Sequence, residues 1–419
     1  MTTVSRKPRI AVVDPYSSGY EMAPAFAARG IGAIAIRTAF SLPEMARDSW
    51  APSHFDVILD GTQPEAELVS RLRELGPLRI LAGNESGVEL AEALTARLLP
   101  HTGNVPELTA ARRDKWQTAL ALSRAGIPCI RQICTADPDA VRAWLAEAAS
   151  DGPQPLVLKP PKSAGTDNVH IVRAGDDWQP VFARILGTTN MMGLRNDGVL
   201  VQEYARGTEY AVDTYSADGV HGLLSVCRYR KRALEDRLGI YEAVDFLPPD
   251  APRVAEVYAY VRRVLDAVGL RNGSAHVEVM DTARGPRLIE VNARISGGHQ
   301  QRLTRLATGD CQIDRSVRHV LGEPLGGGYR LLHHVTVAYL SASRHGIWRN
   351  AEDLRNLARL PTFHDIHLAY GTGDHVPRTV DVFTSIGQVV LAGKDANAVD
   401  TDYDAVRAYE ARMRIDAAA

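Results

Sequence analysis

Apolar residues follow two rhythms along this chain. Through the first hundred positions, short continuous apolar runs alternate with stretches of helical spacing. RIAVVD and FDVILDG read as buried strands ending in acids, and LRILAG follows as a third. Between them EMAPAFAARG and EAELVSRLREL repeat their apolar residues every three or four positions, as helices do, and NESGVELAEALTARL continues as a helix with Ser86 as its expected cap. Strands alternating with helices predict a parallel sheet covered by helices.

The rhythm then changes. LPHTGNVPELTAARRDKWQTALALSRAGIP reads as a linker and a long helix that ends at Gly126, with Pro128 stopping it. From position 155 strand-like runs crowd together: PLVLKP, VHIVRA, VLVQEYA and TEYAVDTYSADGVHGLLSVCRY. Turn residues separate them at short intervals, so antiparallel pairing is expected. RVAEVYAYVRRVLDAVG is the next helix, and EPLGGGYR at 323–330 reads as a flexible junction. Beyond it, HHVTVAYLS and VDVFTSIGQVVLAG read as strands before a final helix.

Size and composition narrow the class. A chain of 419 residues exceeds one usual domain, and 45% hydrophobic with 23% charged residues is ordinary for a globular enzyme. Net charge is −2 without a run of five like charges, which argues against nucleic acid or an anionic membrane as partner. The longest apolar run, IGAIAI at 31–36, is too short to cross a bilayer, and MTTVSRKPRIAVVD lacks the apolar core of a signal peptide. Cys129, Cys134, Cys227 and Cys311 show no paired spacing, so a reduced, cytoplasmic enzyme is expected. PYSSGYEM follows the first strand where a dinucleotide fingerprint would need three glycines, which disfavours a nicotinamide enzyme.

The chemistry concentrates in SAHVEVMDTARGPRLIEVNARISGGHQ, residues 274–300. Read as a hairpin turning near Arg284, it sets Glu278 across from Glu290 and His276 across from Asn292. By strict alternation Leu288, Glu290 and Asn292 share one face, and Ile289 and Val291 the other. Opposed carboxylates repel unless a cation lies between them, and an oxygen-only donor set points to Mg²⁺ or Mn²⁺. A solvated hairpin face is the plain alternative. Arg294 followed by Ser296, Gly297 and Gly298 favours a site, since glycines admit a ligand to the backbone and arginine forks onto carboxylate or phosphate. LVLKPPKSAGTDNVHIV adds a small-residue loop behind Lys159, suited to phosphate but unlike a Walker A loop.

In this order, the Lys159 loop, the hinge VQEYARGTEYAVD, Glu278 and the pair Glu290 and Asn292 resemble an ATP-grasp enzyme over nearly the whole chain. AARRDK at 110–115 and IEVNARISGG at 289–298 are similar to the L-amino acid ligase branch. The resemblance implies an α/β fold of ATP-grasp architecture: an N-terminal parallel α/β domain (1–105), an ATP-grasp domain (106–325) with a small lid subdomain at about 126–204, and a C-terminal subdomain (326–419) completing a larger antiparallel lobe. It implies ATP and Mg²⁺ (or Mn²⁺), with Lys115, Lys159, Ser163 and Gly165 at the phosphates and adenine side. Glu203, Tyr204 and Ala205 would form the hinge at adenine, and Glu209 would hold the ribose. Glu278, Glu290 and Asn292 would be metal ligands. Arg294 would meet the acyl phosphate or substrate carboxylate, with His276, Ser296, Gly297 and Gly298 also on the substrate side.

Two positions depart from the pattern: Asn168 stands where related loops often have glycine, and Gln202 where several relatives carry an acid. Tyr241 and Glu242 fall in a candidate substrate loop, and His333–His334 read as structural. The implied reaction joins a small carboxylic acid to an amine through an acyl phosphate, releasing ADP and phosphate. A kinase, a bicarbonate-dependent carboxylase and a non-catalytic nucleotide-binding protein are the rival readings. A homodimer is the default assembly.

Overall fold

The computed structural model describes residues 7–39, 49–147, 152–234 and 237–417. The extreme N-terminal stretch read above for targeting lies partly outside them. Among the described residues the strands form four sheets, and no helix is long and apolar enough to cross a membrane.

The first sheet is parallel: β1 (Arg9–Val13), β2 (Gly32–Arg37), β3 (Val57–Asp60) and β4 (Ile80–Ala82) lie in the order β3-β2-β1-β4. Helices α1 (Met22–Ala27), α2 (Glu65–Leu75) and α3 (Val88–Leu98) alternate with the strands. Ile10, Val12, Met22 and Phe26 pack with Ile295, Ile313 and Val317, so this sheet is docked on the rest of the chain through apolar contact. Each such side chain, fully buried, contributes roughly 1.5–3 kcal/mol. The apolar run at 31–36 is the second strand. The expected cap at Ser86 is replaced: Asn84 accepts from the Glu85 amide and opens a 3-10 turn (Glu85–Gly87) ahead of α3, while Ser86 Oγ donates to Asp14.

The long helix expected before Gly126 is shorter. Three 3-10 turns occupy 100–112, and α4 spans only Lys115–Arg124, capped by Asp114 accepting from the Trp116 and Gln117 amides. Then β5 (Gln132–Thr135), α5 (Pro138–Glu147), β6 (Leu156–Lys159), β7 (His170–Val172), α6 (Gln179–Ile185) and β8 (Val199–Glu203) follow. These strands make an antiparallel sheet, β5-β8-β6-β7, whose inner face buries Leu156, Leu158 and Val201 against Trp144 and Phe182.

The largest sheet has eight strands. Into it enter β9 (Gly207–Ala217), β10 (Val220–Leu234), β11 (Arg237–Phe246), β12 (Gly273–Thr282) and β13 (Gly285–Asn292), with α7 (Val254–Ala267) covering one face. Helices α8 (Gln300–Thr308) and α9 (Gln312–Val320) come next, then β14 (His334–Leu340), β15 (Gly346–Trp348), β16 (Phe363–Leu368), β17 (His375–Val376), β18 (Gly387–Gly393), α10 (Ala396–Glu410) and β19 (Ile415–Asp416). The order is β13-β12-β9-β10-β11-β14-β18-β16, and β17-β15-β19 form a separate small sheet. The glycine-rich junction is coil pinned to its neighbours: Gly326 and Gly328 carbonyls accept from Arg315, and the Gly327 carbonyl from Leu223. Only Gly387–Gly393 of the expected strand VDVFTSIGQVVLAG pairs; residues 380–386 form a turn.

The hairpin pairs His276 with Asn292 and Glu278 with Glu290, as expected, but not by strict alternation. A bulge follows Glu278, so Val279 pairs with Leu288 and Ile289 is the extra residue. Leu288 therefore turns into the core with Val279 and Val291, while Ile289 faces the opposite side with Glu290. The alternation expected for Leu288 and Ile289 is corrected by this one inserted residue. Tyr241 and Glu242 lie on strand β11 rather than in a loop.

Candidate active site

A cavity of about 360 Å³ lies between the β5-β8-β6-β7 sheet and the largest sheet, with residues from Lys115 to Val382 on its walls. Lys159 ends β6 and projects into it, 6% exposed. Its ammonium donates to Gln202 Oε1 at 3.3 Å, and Gln202 in turn donates to Gln132 at 2.8 Å, so the amide at the departing hinge position serves as a neutral acceptor. Burial first, and the nearby Lys115 second, pull Lys159 down to about 8. Lys115 opens α4, where its side chain crosses to the loop after β6: Nζ donates to the Ser163 carbonyl at 3.2 Å and lies 3.3 Å from Glu290. Lys115 is thus held between the loop after β6 and the Glu290 carboxylate.

On the opposite wall, Glu278 and Glu290 face the cavity from paired positions on β12 and β13. Burial disfavours the charged form of Glu278, but His276, Lys231 and Arg294 outweigh it and hold the carboxyl at about 2. His276 Nε2 lies 3.6 Å from Glu278, and its Nδ1 lies 2.7 Å from Asp213 Oδ1. Burial opposes protonation there, yet the Asp213 and Glu278 carboxylates lift His276 to about 9. Asp213 is fixed from behind, since Ser296 Oγ donates to it at 2.9 Å and Gln301 and Gln312 close around Ser296. Ser296 thus orients the Asp213–His276 pair.

Asn292 ends β13 beside Glu290 and Glu85. With its NH₂ turned toward them, the amide donates to Glu290 Oε1 at 2.8 Å and Glu85 Oε2 at 2.9 Å; turned the other way, its oxygen joins theirs. Two carboxylates and an amide oxygen make a hard donor set suited to Mg²⁺ or Mn²⁺. Among the described residues no cluster of three or more His, Cys, Asp or Glu could hold a metal by itself.

Arg294 follows two residues later. Its Nε donates to Glu85 Oε2 at 2.9 Å and its Nη1 to the Ile295 carbonyl at 2.9 Å, leaving Nη2 without a hydrogen-bond partner among the described residues. Glu85 is 3% exposed and also lies 3.3 Å from Arg113. It comes from the first sheet, just beyond the end of β4, where the strand order reverses between β1 and β4. Such a switch point is where parallel sheets present ligand-binding loops. Asp14, fully buried beyond β1, holds this corner by accepting from Thr38 (2.8 and 2.7 Å) and Ser86 (2.5 Å).

The hinge contributes unevenly. Tyr204 and Ala205 line the cavity, whereas the Glu203 side chain turns out to Arg131 at 3.3 Å. Glu209 lies inside, 8% exposed, with Lys231 Nζ 2.6 Å away; burial nonetheless pushes its carboxyl up. In the loop between β6 and β7 Gly165 reaches the cavity, while Ser163 is buried and donates to Asp167 at 2.6 Å. Asn168 has φ +52, a left-handed conformation that explains why glycine suits this position and why Asn is tolerated. Gly297 lines the cavity; Gly298 is tied instead to Ser17 and Ser18 of the first sheet's β1 loop. His333 caps the Leu306 carbonyl at 3.0 Å.

Lys231 and Tyr229 on the cavity wall, and Glu85 behind Arg294, were missed from the sequence. Lys231 and Tyr229 alternate on β10 and Tyr241 faces them from β11, with Lys231 Nζ 4.3 Å from the Tyr241 ring centroid. A lysine inside an apolar strand, and an acid directly after a parallel strand, were the available signals.

Comparison with known proteins agrees with this architecture. Residues 152–302 match the ATP-grasp domain family. Dapdiamide A synthase from Enterobacter agglomerans is 29% identical over 411 residues, covering 95% of each chain. The L-arginine-specific L-amino acid ligase of Bacillus subtilis is 23% identical over 61% of this chain and 60% of its own. Among solved structures, an L-amino acid ligase from Bacillus licheniformis superposes with a TM-score of 0.72 at 14% identity, covering 99% of this chain and all of that one.

Proposed function

From the premise that this chain carries an ATP-grasp domain within an ATP-grasp fold, we propose that it is an ATP-dependent ligase joining a small carboxylic acid to an amine. The observation that carries this reading is the convergence of Lys159 and Lys115 from one side, and Glu278, Glu290, Asn292 and Arg294 from the other, on one cavity. The names of the relatives, a synthase and two ligases, support it.

A free carboxylate is a poor acyl donor because its leaving group is oxide. In the proposed sequence a carboxylate oxygen attacks the γ-phosphorus of ATP, the bond to the β–γ bridging oxygen breaks, and ADP departs from an acyl phosphate. The amine lone pair then adds to the acyl carbon, the carbon–oxygen bond to phosphate breaks, and nitrogen loses a proton. Lys159 and Lys115 neutralise charge on the phosphates, acting from a cavity where water screens them little. Glu278, Glu290 and Asn292 would hold Mg²⁺ or Mn²⁺, which supplies further positive charge to the phosphates. Arg294, oriented through Nε by Glu85, offers Nη2 to the acyl oxygen. Cationic His276, anchored by Asp213, balances Glu278 on the substrate side.

ADP and phosphate release with Mg-ATP across a pairwise matrix of carboxylic acids and amines, with mass spectrometry, tests the assignment. Release that needs two components and yields a condensed product is expected. A stable phosphorylated product from one component would establish a kinase instead. In the same assay Glu290→Gln should keep nucleotide binding, read as a thermal shift, yet lose at least about a hundredfold in turnover, in line with losses from weakened electrostatic stabilisation. Full activity would remove Glu290 from the metal set.

A further inference from the structure

We propose that Phe383 is a positioning residue that holds the lid loop, residues 160–169, over the cavity and keeps water from the activated acyl group; the second half of this rests on the ligase reading. The turn at 380–386 stands where the sequence suggested a strand. It is internally fixed: Thr384 Oγ1 accepts from the Val380 and Asp381 amides at 2.8 and 3.0 Å, and the Thr384 amide donates to Asp381 Oδ1 at 2.9 Å. The Ile386 amide and Ser385 Oγ both donate to the Leu340 carbonyl at 3.0 Å, which anchors the turn to β14. Val380, Asp381 and Val382 consequently form part of the cavity wall.

The next residue, Phe383, is 44% exposed, an unusual placement for an aromatic ring on so well-tied a turn. Its ring lies on Gly165: a Cβ at that glycine would sit 2.7 and 2.9 Å from two ring carbons. Gly165 has φ +63 and is itself part of the cavity wall, so the contact joins the C-terminal segment to the lid loop across the cavity mouth. The loop's other ties come from different directions. Lys115 donates through its amide to the Pro161 carbonyl at 3.1 Å and through Nζ to the Ser163 carbonyl at 3.2 Å, Asn190 Nδ2 donates to the Lys162 carbonyl at 2.7 Å, and the Met191 amide donates to Asp167 Oδ2 at 3.0 Å, all of them polar; the Lys162–Glu89 pair at 2.8 Å is partly exposed (34% and 48%), a class of ion pair worth little. Phe383 supplies the apolar contact, and the absence of a side chain at Gly165 is what lets the ring approach.

An acyl phosphate is lost to water unless the site is closed, so loosening this contact should waste ATP before it impairs chemistry. Phe383→Ala and Phe383→Leu are compared with the wild type in two assays. Trypsin cleavage after Lys162, with and without a nonhydrolysable ATP analogue, reads the lid loop directly. The ratio of ADP released to condensed product, with kcat and KM for ATP measured separately, reads closure during turnover. Phe383→Ala should be cleaved about tenfold faster, lose protection by the analogue, raise KM for ATP and increase ADP per product several-fold, with kcat for ADP release retained. Phe383→Leu should restore most of each, and the melting temperature should move little because the ring is half-exposed. Wild-type cleavage rates in Phe383→Ala overturn the proposal, as does a fall in melting temperature that Phe383→Leu shares. If the wild type condenses no pair, the ligase reading fails while the cleavage comparison still decides the role of Phe383.

Discussion

A lysine 6% exposed, with another lysine nearby and a neutral amide as its hydrogen-bond partner, carries its charge at a disadvantage, and Lys159 sits at about 8 for that reason. Its folded value lies below the ordinary one, so near pH 8 a large fraction is neutral. A polyphosphate favours the charged form and raises the value again. Binding of Mg-ATP at pH 8 should therefore take up a proton, visible by calorimetry in buffers of different ionisation enthalpy. Lys159→Met should abolish that uptake; equal uptake in the variant would show that another group titrates. Lys159, the opposed glutamates and Arg294 were all legible in the sequence because type and spacing together are distinctive. Glu85 and Lys231 were not: one reaches the site only because a separate sheet docks there, and the other only because β10 pairs with β9 and β11 in this register.

At the scale of elements, one inserted residue decides which side chains see the cavity. The bulge after Glu278 sends Leu288 to the core and Ile289 to the cavity, the reverse of simple alternation. Leu288→Ala should therefore lower stability by about 2–5 kcal/mol in urea unfolding and leave KM for ATP unchanged. Ile289→Ala should do the opposite, raising KM for ATP with little change in stability. Swapped effects would mean that the hairpin pairs without the bulge in solution. The hairpin's partners were readable from its sequence, since a short turn fixes register. The bulge was not, because an apolar pair such as Leu-Ile satisfies either face equally. A similar ambiguity shortened α4 and turned half of the expected strand at 380–393 into the turn that bears Phe383.

For the whole molecule, the class of architecture could be read from alternating strands and helices giving way to antiparallel runs, but the joining of distant segments could not. Strand β14 lies between β11 and β18 in the largest sheet, and Ala243 pairs with Ala338 across almost a hundred residues of chain. Removal of residues 326–419 would strip β14, β18 and β16 from β11 and uncover Val244 and Phe246, which are buried against Val335 and Val337. Such a chain should lose cooperative thermal unfolding and precipitate on expression; a soluble, cooperatively unfolding product would show that β11 is stable as an edge. Periodicity carries no information about which strand will lie beside which when the partners are this far apart.

The spread of the cavity wall from Lys115 to Val382 has a consequence for biosynthesis. A chain emerging from the ribosome can form the first parallel sheet early, since its pairings are local. The cavity cannot be enclosed until the strand after the GGG junction has inserted and the turn that follows it has met the loop at 160–169. Incomplete chains consequently present lysines and glutamates without the enclosing walls. The enclosed cavity is completed only when the C-terminal segment has folded onto the earlier sheets.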